Sequence, residues 1–184
     1  MHKIVKAAYD LAMHAHLRQV RKYTKEPYFF HCAEVACLVQ CLAESTPEMI
    51  AAAYLHDVVE DTGVPITLIL DRVRSVQVCN YVSLLTDPKS DLNRAARKAN
   101  VVERFRTASN EVRTIKLADL ISNSRSILIH DRNFARQYLT EKAELLSVLR
   151  GGNTVLYALA EQIVVDSLKC LDEVKPKKGK ENAL

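Results

Sequence analysis

Residues 51–62, AAAYLHDVVEDT, form an apolar run that ends in four ionisable side chains within six residues. On a helix, His56 and Glu60 would share one face, and Asp57 and Asp61 another, because residues four apart lie above each other. Adjacent polar residues such as His56 and Asp57 are costly to bury unless something pairs with them. Imidazole beside carboxylate suits divalent Mn, Fe or Zn. The alternative is a helix end with ordinary solvated acids, and this stretch alone leaves both interpretations open.

The composition favours a single all-α domain. The chain has 184 residues, of which 48% are hydrophobic, with only four glycines and five prolines. A chain of this size has enough apolar residues for one sizeable core. Residues 174–184 carry four lysines against one glutamate, so the net charge of +4 falls to +1 for residues 1–173. We therefore expect a domain at 1–173 and a disordered basic tail at 174–184, and no nucleic-acid partner, which would require a basic folded surface.

The sequence contains no signal for a membrane or a secretory route. No apolar run is long enough to cross a bilayer, and residues 1–6 lack the apolar segment of a signal peptide. The five cysteines contain no CxxC pair, which argues against a disulfide framework or a zinc knuckle. We expect a cytoplasmic protein, with Cys37 and Cys41 packed in its core.

Apolar spacing predicts the helices that follow one another along the chain. The expected helices cover residues 2–18, a segment from His31 to about Ser45, 47–62, two short helices within 65–86, one ending near Thr107 after a charged loop at 87–98, then 112–129, 134–149 and 154–171. Thr46 followed by Pro47 is typical of a helix start, and Gly63 of a helix end.

Three separated segments place polar side chains among apolar residues. They contain His31, then the His56-Asp57 pair, then Asp119 with Asn123 one helical turn further on. Taken singly, His31 is more simply a surface or core histidine whose hydrogen bonds are satisfied, and Asp119 is more simply a solvated acid on a helix. Together they supply two imidazoles and two carboxylates, a suitable set of ligands for one divalent cation.

The order of these segments resembles the HD phosphohydrolase superfamily, and more closely the small alarmone hydrolases of the RelA/SpoT-homologue group. Three motifs carry the resemblance, which spans roughly residues 5–130: QVRK at 19–22 with PYFFH at 27–31, HDVVEDT at 56–62, and KLAD at 116–119 with Asn123. Thr86-Asp87 with Lys89, then Arg97-Lys98, is a fainter match. Cys32 stands where the family usually has proline, and the glycine usual before the Pro-Tyr pair is missing.

The resemblance implies a single-domain HD-type helical bundle and a role for each matching residue. It implies that His31, His56, Asp57 and Asp119 bind one divalent cation of the Mn²⁺ type. Glu60 and Asp61 would be catalytic, positioning and deprotonating the attacking water. The expected substrate contacts are Arg21, Lys22, Asn123, Ser126, Lys89, Arg97 and Lys98; for the last three a solvated helix face is an equal alternative.

The activity implied by the resemblance is removal of the 3′-pyrophosphate from guanosine tetra- or pentaphosphate, which gives GDP or GTP. Because the chain is too short to include a synthetase domain, we expect hydrolysis only, with a small nucleotide as partner and the oligomeric state left open. One alternative is an HD-type phosphatase acting on another nucleotide, such as the 2′-phosphate of NADPH. Another is a metal-bound nucleotide sensor or antitoxin-like module, which the intact Glu60-Asp61 pair argues against.

Overall fold

The computed structural model describes residues 1–125 and 127–173 as a helical bundle, which confirms the all-α prediction. The predicted contact Ser126 and the basic tail at 174–184 lie outside the described residues. Within the described ranges the chain has no β-strand, only an isolated antiparallel bridge between Val20 and Pro27. The helices are α1 Lys3–Ala15, α2 Phe29–Gln40, α3 Pro47–Leu55, α4 Val58–Thr62, α5 Ile66–Val73, α6 Val76–Leu85, α7 Arg94–Thr107, α8 Asn110–Ser124, α9 Ile127–His130, α10 Arg132–Leu149 and α11 Thr154–Glu173.

The predicted start of the third helix is confirmed. The Thr46 side chain accepts a hydrogen bond from the Met49 N–H at 3.2 Å, and Pro47 is the first helical residue. Gly63 follows α4 with a φ of +72°, a left-handed conformation that costs glycine little. Both ends of the segment at 47–62 therefore form as its sequence indicates.

The apolar spacing of that segment predicted one continuous helix, and this prediction was wrong. The segment breaks at His56 and Asp57, where Asp57 has φ −103° and ψ −5° and becomes the residue that precedes α4. In a regular helix, neighbouring side chains diverge by about 100°. The break allows these two adjacent side chains to approach the same point.

Other helix boundaries also differ from the prediction: α1 ends at Ala15, and α7 begins at Arg94, within the predicted loop. α2 already begins at Phe29, so His31 lies inside the first turn, and it ends at Gln40. α8 ends at Ser124, earlier than expected, with the short α9 following. Cys37 and Cys41 are exposed, so their placement in the core was wrong; Cys32 and Cys79 are the buried thiols.

Two buried helices, α3 and α8, position the rest of the bundle. α3 packs against α1, α2, α6 and α8, while α8 packs against α2, α10 and α11. Three consecutive alanines at 51–53 are fully buried on α3, and their small side chains let neighbouring helices approach closely. α8 is buried on almost every side from Ile115 to Ile121, as expected of a helix inside a core. Asp119 lies on this helix and faces the break after α3.

None of the helices in the described part of the chain combines the length and the apolar composition needed to cross a bilayer.

Candidate metal and nucleotide site

The four predicted metal ligands converge on one point. The Nε2 atoms of His31 and His56 lie 3.2 Å apart. His31 Nε2 is 3.3 Å from Asp119 Oδ1, and His56 Nε2 is 3.0 Å from Asp57 Oδ2. Ligand atoms of His31, His56 and Asp119 all lie within 4.8 Å of one another, and these three residues are buried. We call His31, His56, Asp57 and Asp119 the ligand cluster.

Hydrogen bonds on the far side of each imidazole fix its tautomer. His56 Nδ1 lies 2.8 Å from the Ala53 carbonyl oxygen, which can only accept, so Nδ1 carries the proton. Ser122 donates its hydroxyl proton to Glu34 at 2.6 Å and accepts from His31 Nδ1 at 2.9 Å. Both Nε2 atoms therefore face the centre of the cluster, where each can offer a lone pair to a cation that displaces its proton. Such outer partners are typical of histidines that bind metals.

The charges of the cluster fit a cation at its centre. Burial opposes protonation of His56, but Asp57 and Asp119 outweigh it and raise its pKa to about 10. Two carboxylates this close to two imidazoles favour positive charge between them, and the raised pKa of His56 reflects this. A divalent cation held by these two nitrogens and two carboxylates meets that requirement, and the mixed donor set suits Mn, Fe or Zn.

The two carboxylates are held by further side chains. Tyr28 donates its hydroxyl proton to Asp57 at 2.7 Å. Asp119 accepts from Lys116 Nζ at 2.8 Å and from Asn123 Nδ2 at 2.6 Å. Burial opposes ionisation of Asp119, but Lys116 and the histidines hold its pKa well below the usual range. Asp119 is therefore an anion in the folded protein.

Glu60 and Asp61 lie beside the cluster without being part of it. Glu60 Oε2 accepts from the Asp87 backbone N–H at 2.8 Å, and Asp61 Oδ2 accepts from Gln19 Nε2 at 2.7 Å. Partial burial raises the pKa of Glu60 above its usual value. A carboxylate with a raised pKa is a better proton acceptor, as a general base requires.

A cavity of about 410 Å³ opens over the cluster, a size typical of small-molecule sites. Its lining residues are Arg21, Lys22, Tyr23, Thr24, Tyr28, Asp57, Glu60, Asp61, Asp87, Lys98, Lys116, Asp119, Asn123, Ile127, Phe134, Tyr138 and Lys142. A larger groove of about 910 Å³ runs between α7 and α10 but is lined by none of the cluster residues. Chemistry, not size, therefore identifies the site.

The structure brings most of the predicted substrate residues to this cavity. Arg21, Lys22, Lys98 and Asn123 line it, and Arg21 Nη1 donates to Asn123 Oδ1 at 3.1 Å. Asn123 in turn donates to Asp119, so the predicted nucleotide contact is linked directly to the ligand cluster. Lys89 and Arg97 are not among the lining residues, and Arg97 Nη1 instead donates to the Leu92 carbonyl oxygen at 2.7 Å.

Several lining residues had no role in the sequence-based prediction. Lys116 and Tyr28 belong to the motifs, and Lys116 precedes Asp119 by three residues, a spacing that signals a helical ion pair. Phe134, Tyr138 and Lys142 come from α10, whose pattern resembles any amphipathic helix. Burial and the nearby Lys116 lower the pKa of Lys142 to about 8, an effect visible only in the tertiary structure.

Comparison with known proteins gives a consistent result. A family model for the HD domain matches residues 8–152. The guanosine-3′,5′-bis(diphosphate) 3′-pyrophosphohydrolase MESH1 of Drosophila melanogaster is 32% identical over 155 residues, which cover 80% of this chain and 86% of the fly protein. MESH1 of Mus musculus is 31% identical over 166 residues, covering 85% of this chain and 90% of the mouse protein.

A solved structure has a similar fold over nearly its whole length. It is described as a metazoan ortholog of SpoT that hydrolyzes ppGpp and plays a role in starvation responses. It superposes with a TM-score of 0.83 at 26% identity and covers 93% of this chain and 98% of its own. The chain therefore belongs to the HD domain family, in the branch that includes the MESH1 proteins.

Proposed function

We propose that the protein is a metal-dependent 3′-pyrophosphohydrolase that converts guanosine tetra- or pentaphosphate to GDP or GTP. The observation that carries the proposal is the buried His31, His56 and Asp119 cluster beneath a nucleotide-sized cavity, in a chain that matches MESH1 proteins over most of their length. The relatives named above are 3′-pyrophosphohydrolases, so the NADPH phosphatase and the sensor are not favoured.

The proposed cofactor is one Mn²⁺ ion per chain, held by the ligand cluster. Its support is the mixture of two imidazoles and two carboxylates with converging donor atoms. A bound ion of this kind lowers the pKa of a coordinated water and offsets charge on phosphoryl oxygens. The chain's own residues then have to orient the substrate and handle the proton.

Glu60 is the proposed proton acceptor for the attacking water, with Asp61 orienting that water. Both carboxylates line the cavity beside Asp57. One oxygen of each carboxylate accepts a hydrogen bond, and the other oxygen accepts none from the described residues. The raised pKa of Glu60 supports this division of roles.

The proposed nucleotide contacts are four residues that line the cavity: Arg21, Lys22, Asn123 and Lys98. Arg21 is suited to stacking on a base as well as to pairing with phosphate. Its hydrogen bond to Asn123 holds the guanidinium over the cavity. Lys89, Arg97 and Ser126 remain predictions without supporting contacts.

We further propose that residues 1–173 form one hydrolase domain and that the protein acts in the cytoplasm. The second proposal is supported by the five cysteines, all of which are free thiols, since disulfides are rare in reducing compartments.

A substrate panel tests the proposed activity. Metal-loaded protein is incubated with guanosine tetraphosphate, GTP, a dNTP and NADPH, and the products are identified chromatographically. We expect GDP and pyrophosphate from the tetraphosphate, and little reaction with GTP or the dNTP, whose 5′ phosphates alone do not reach the ligand cluster. Phosphate release from NADPH alone would replace the proposal by the phosphatase alternative.

A further inference from the structure

Lys142 is a cation in the cavity that has no anionic partner among the described residues. Its Nζ lies 4.9 Å from the centroid of the Tyr138 ring. Among the residues that the structure describes, no carboxylate oxygen lies within 4.0 Å of this ammonium group, whereas the neighbouring Lys116 is paired with Asp119 at 2.8 Å. Lys98, from α7, lines the same cavity and likewise has no ion pair among the described residues.

The acids around Lys142 do not neutralise it. Asp87 and Glu141 line the adjoining space together with Lys98 and Lys142. Asp87 is ion-paired with Arg104. Glu141 accepts two hydrogen bonds from Arg94, at 2.6 and 2.8 Å. Glu144 also lines this space but makes no ion pair with either lysine within 4.0 Å.

An enclosed charge without a partner is costly in a folded protein. The cost falls when a ligand brings a group of opposite sign, and phosphate oxygens bind lysine ammonium groups well. An anion that binds beside Lys142 therefore removes this cost, and its removal favours binding. Lys98 and Lys142 reach this position from two different helices, α7 and α10, so the site is built by the tertiary fold.

We propose that Lys142, together with Lys98, binds the 5′-diphosphate of the substrate while the 3′-diphosphate lies at the ligand cluster. This inference rests on the proposed function and assigns a specificity-determining role to a helix outside the motifs. The cavity then has two anion-binding ends, the metal-type cluster of α2, α3 and α8 and the lysines of α7 and α10. A nucleotide with phosphates at both positions uses both ends, whereas GTP or a 3′-phosphorylated nucleoside uses only one.

The test compares two substrates in the metal-loaded full-length protein. Lys142→Met removes the charge and keeps the length, Lys142→Arg keeps the charge, and Lys169→Met, at an exposed position on α11, is the matched control. For guanosine 3′,5′-bis(diphosphate) we expect Lys142→Met to raise KM roughly ten- to hundredfold, the range for a lost hydrogen bond to a charged group, with kcat little changed. For guanosine 3′-diphosphate with a free 5′-hydroxyl we expect no change in KM. Lys142→Arg should keep KM close to the wild-type value, and Lys169→Met should leave KM unchanged for both substrates.

A binding measurement separates this inference from the proposed activity. GDP carries only the 5′-diphosphate, so its dissociation constant, measured calorimetrically, should rise by the same factor in Lys142→Met. If the wild type hydrolyses neither guanosine substrate but this change in GDP affinity is seen, the anion site stands and the proposed function fails. An equal KM increase for both substrates, or an unchanged GDP affinity in a variant that melts like the wild type, would overturn the inference.

Discussion

At the scale of single residues, the site depends on side chains that hold other side chains. Ser122 joins Glu34 to the outer nitrogen of His31, Nδ1, and Tyr28 and Lys116 each hold one carboxylate of the ligand cluster. These contacts fix where the four ligand atoms point. The convergence of the four proposed ligands could be predicted because their residue types and spacing carry the motif. Ser122 and Glu34 could not, since a serine and a glutamate on two helices give no signal before the helices pack.

The Ser122 contact leads to a prediction about metal affinity. Ser122→Ala removes the acceptor for His31 Nδ1, so the imidazole loses both its orientation and its fixed tautomer. We expect the dissociation constant for Mn²⁺ to rise about ten- to hundredfold, as is typical when such a partner is lost. Calorimetric titration of the metal-free protein measures it. Ser124→Ala is the control, because this buried hydroxyl makes no hydrogen bond to the ligand cluster; an equal effect there would refute the Ser122 role.

Glu60 allows a second prediction, on the chemical step. Glu60→Gln removes the proton acceptor and keeps the size of the side chain, so metal content and melting temperature should stay close to the wild type. The rate constant kcat should fall about 10²- to 10⁴-fold. Because Glu60 must be ionised to accept a proton and its pKa is raised, the wild-type rate should fall as the pH drops below that pKa. This acid limb should be absent in the variant, and normal turnover by Glu60→Gln would show that the carboxylate plays no part.

At the scale of elements, the sequence pattern could not predict the break between α3 and α4. The apolar spacing of residues 47–62 indicates one helix, and its ends were placed correctly. Its interruption at His56 and Asp57 follows from side-chain contacts with α2 and α8, above all the approach of His56 to His31 and Asp119. In the same way, α10 was predicted as a helix but not as a wall of the site, because only packing shows which face meets the cavity.

The loop at residues 16–28 yields a prediction at this scale. Tyr23 donates its hydroxyl proton to Asp131 at 2.7 Å, which ties the loop carrying Arg21 and Lys22 to the start of α10. Tyr23→Phe should loosen this connection and raise KM about tenfold, the lower end of the roughly 1.5–3 kcal/mol for one hydrogen bond to a charged group, with kcat nearly unchanged. Tyr157→Phe is the control, since its hydroxyl bonds Glu161 within α11. Equal KM values for Tyr23→Phe and the wild type would contradict the proposed tie.

At the scale of the whole molecule, composition was sufficient to predict an all-helical bundle. Few glycines, few prolines and helical apolar spacing fixed the fold class, and the resemblance supplied its topology. The cavity and the lysines that α7 and α10 bring to it required the packed structure. They depend on how α10 packs against α7 and α8, and no local pattern in these helices indicates that packing.

We expect the basic segment at 174–184 to have no part in the proposed activity, because its lysine-rich composition is typical of a solvated end. Among the described residues, those that line the cavity lie between Arg21 and Lys142, and deleting 174–184 should leave kcat, KM and the melting temperature within error of the full chain. The comparison uses steady-state kinetics and thermal unfolding of both proteins. A loss of activity of tenfold or more on deletion would assign this segment a role in catalysis or binding.

The central claim is that the ligand cluster acts on the 3′-diphosphate of a guanosine bis(diphosphate). Its most direct test is ³¹P NMR of a reaction containing Mn²⁺-loaded protein and guanosine tetraphosphate, beside the same reaction with Asp57→Ala. We expect the wild type to release pyrophosphate and to leave GDP with its 5′-diphosphate intact, and Asp57→Ala to do neither. Release of orthophosphate, cleavage at the 5′ position, or undiminished turnover by Asp57→Ala would contradict it.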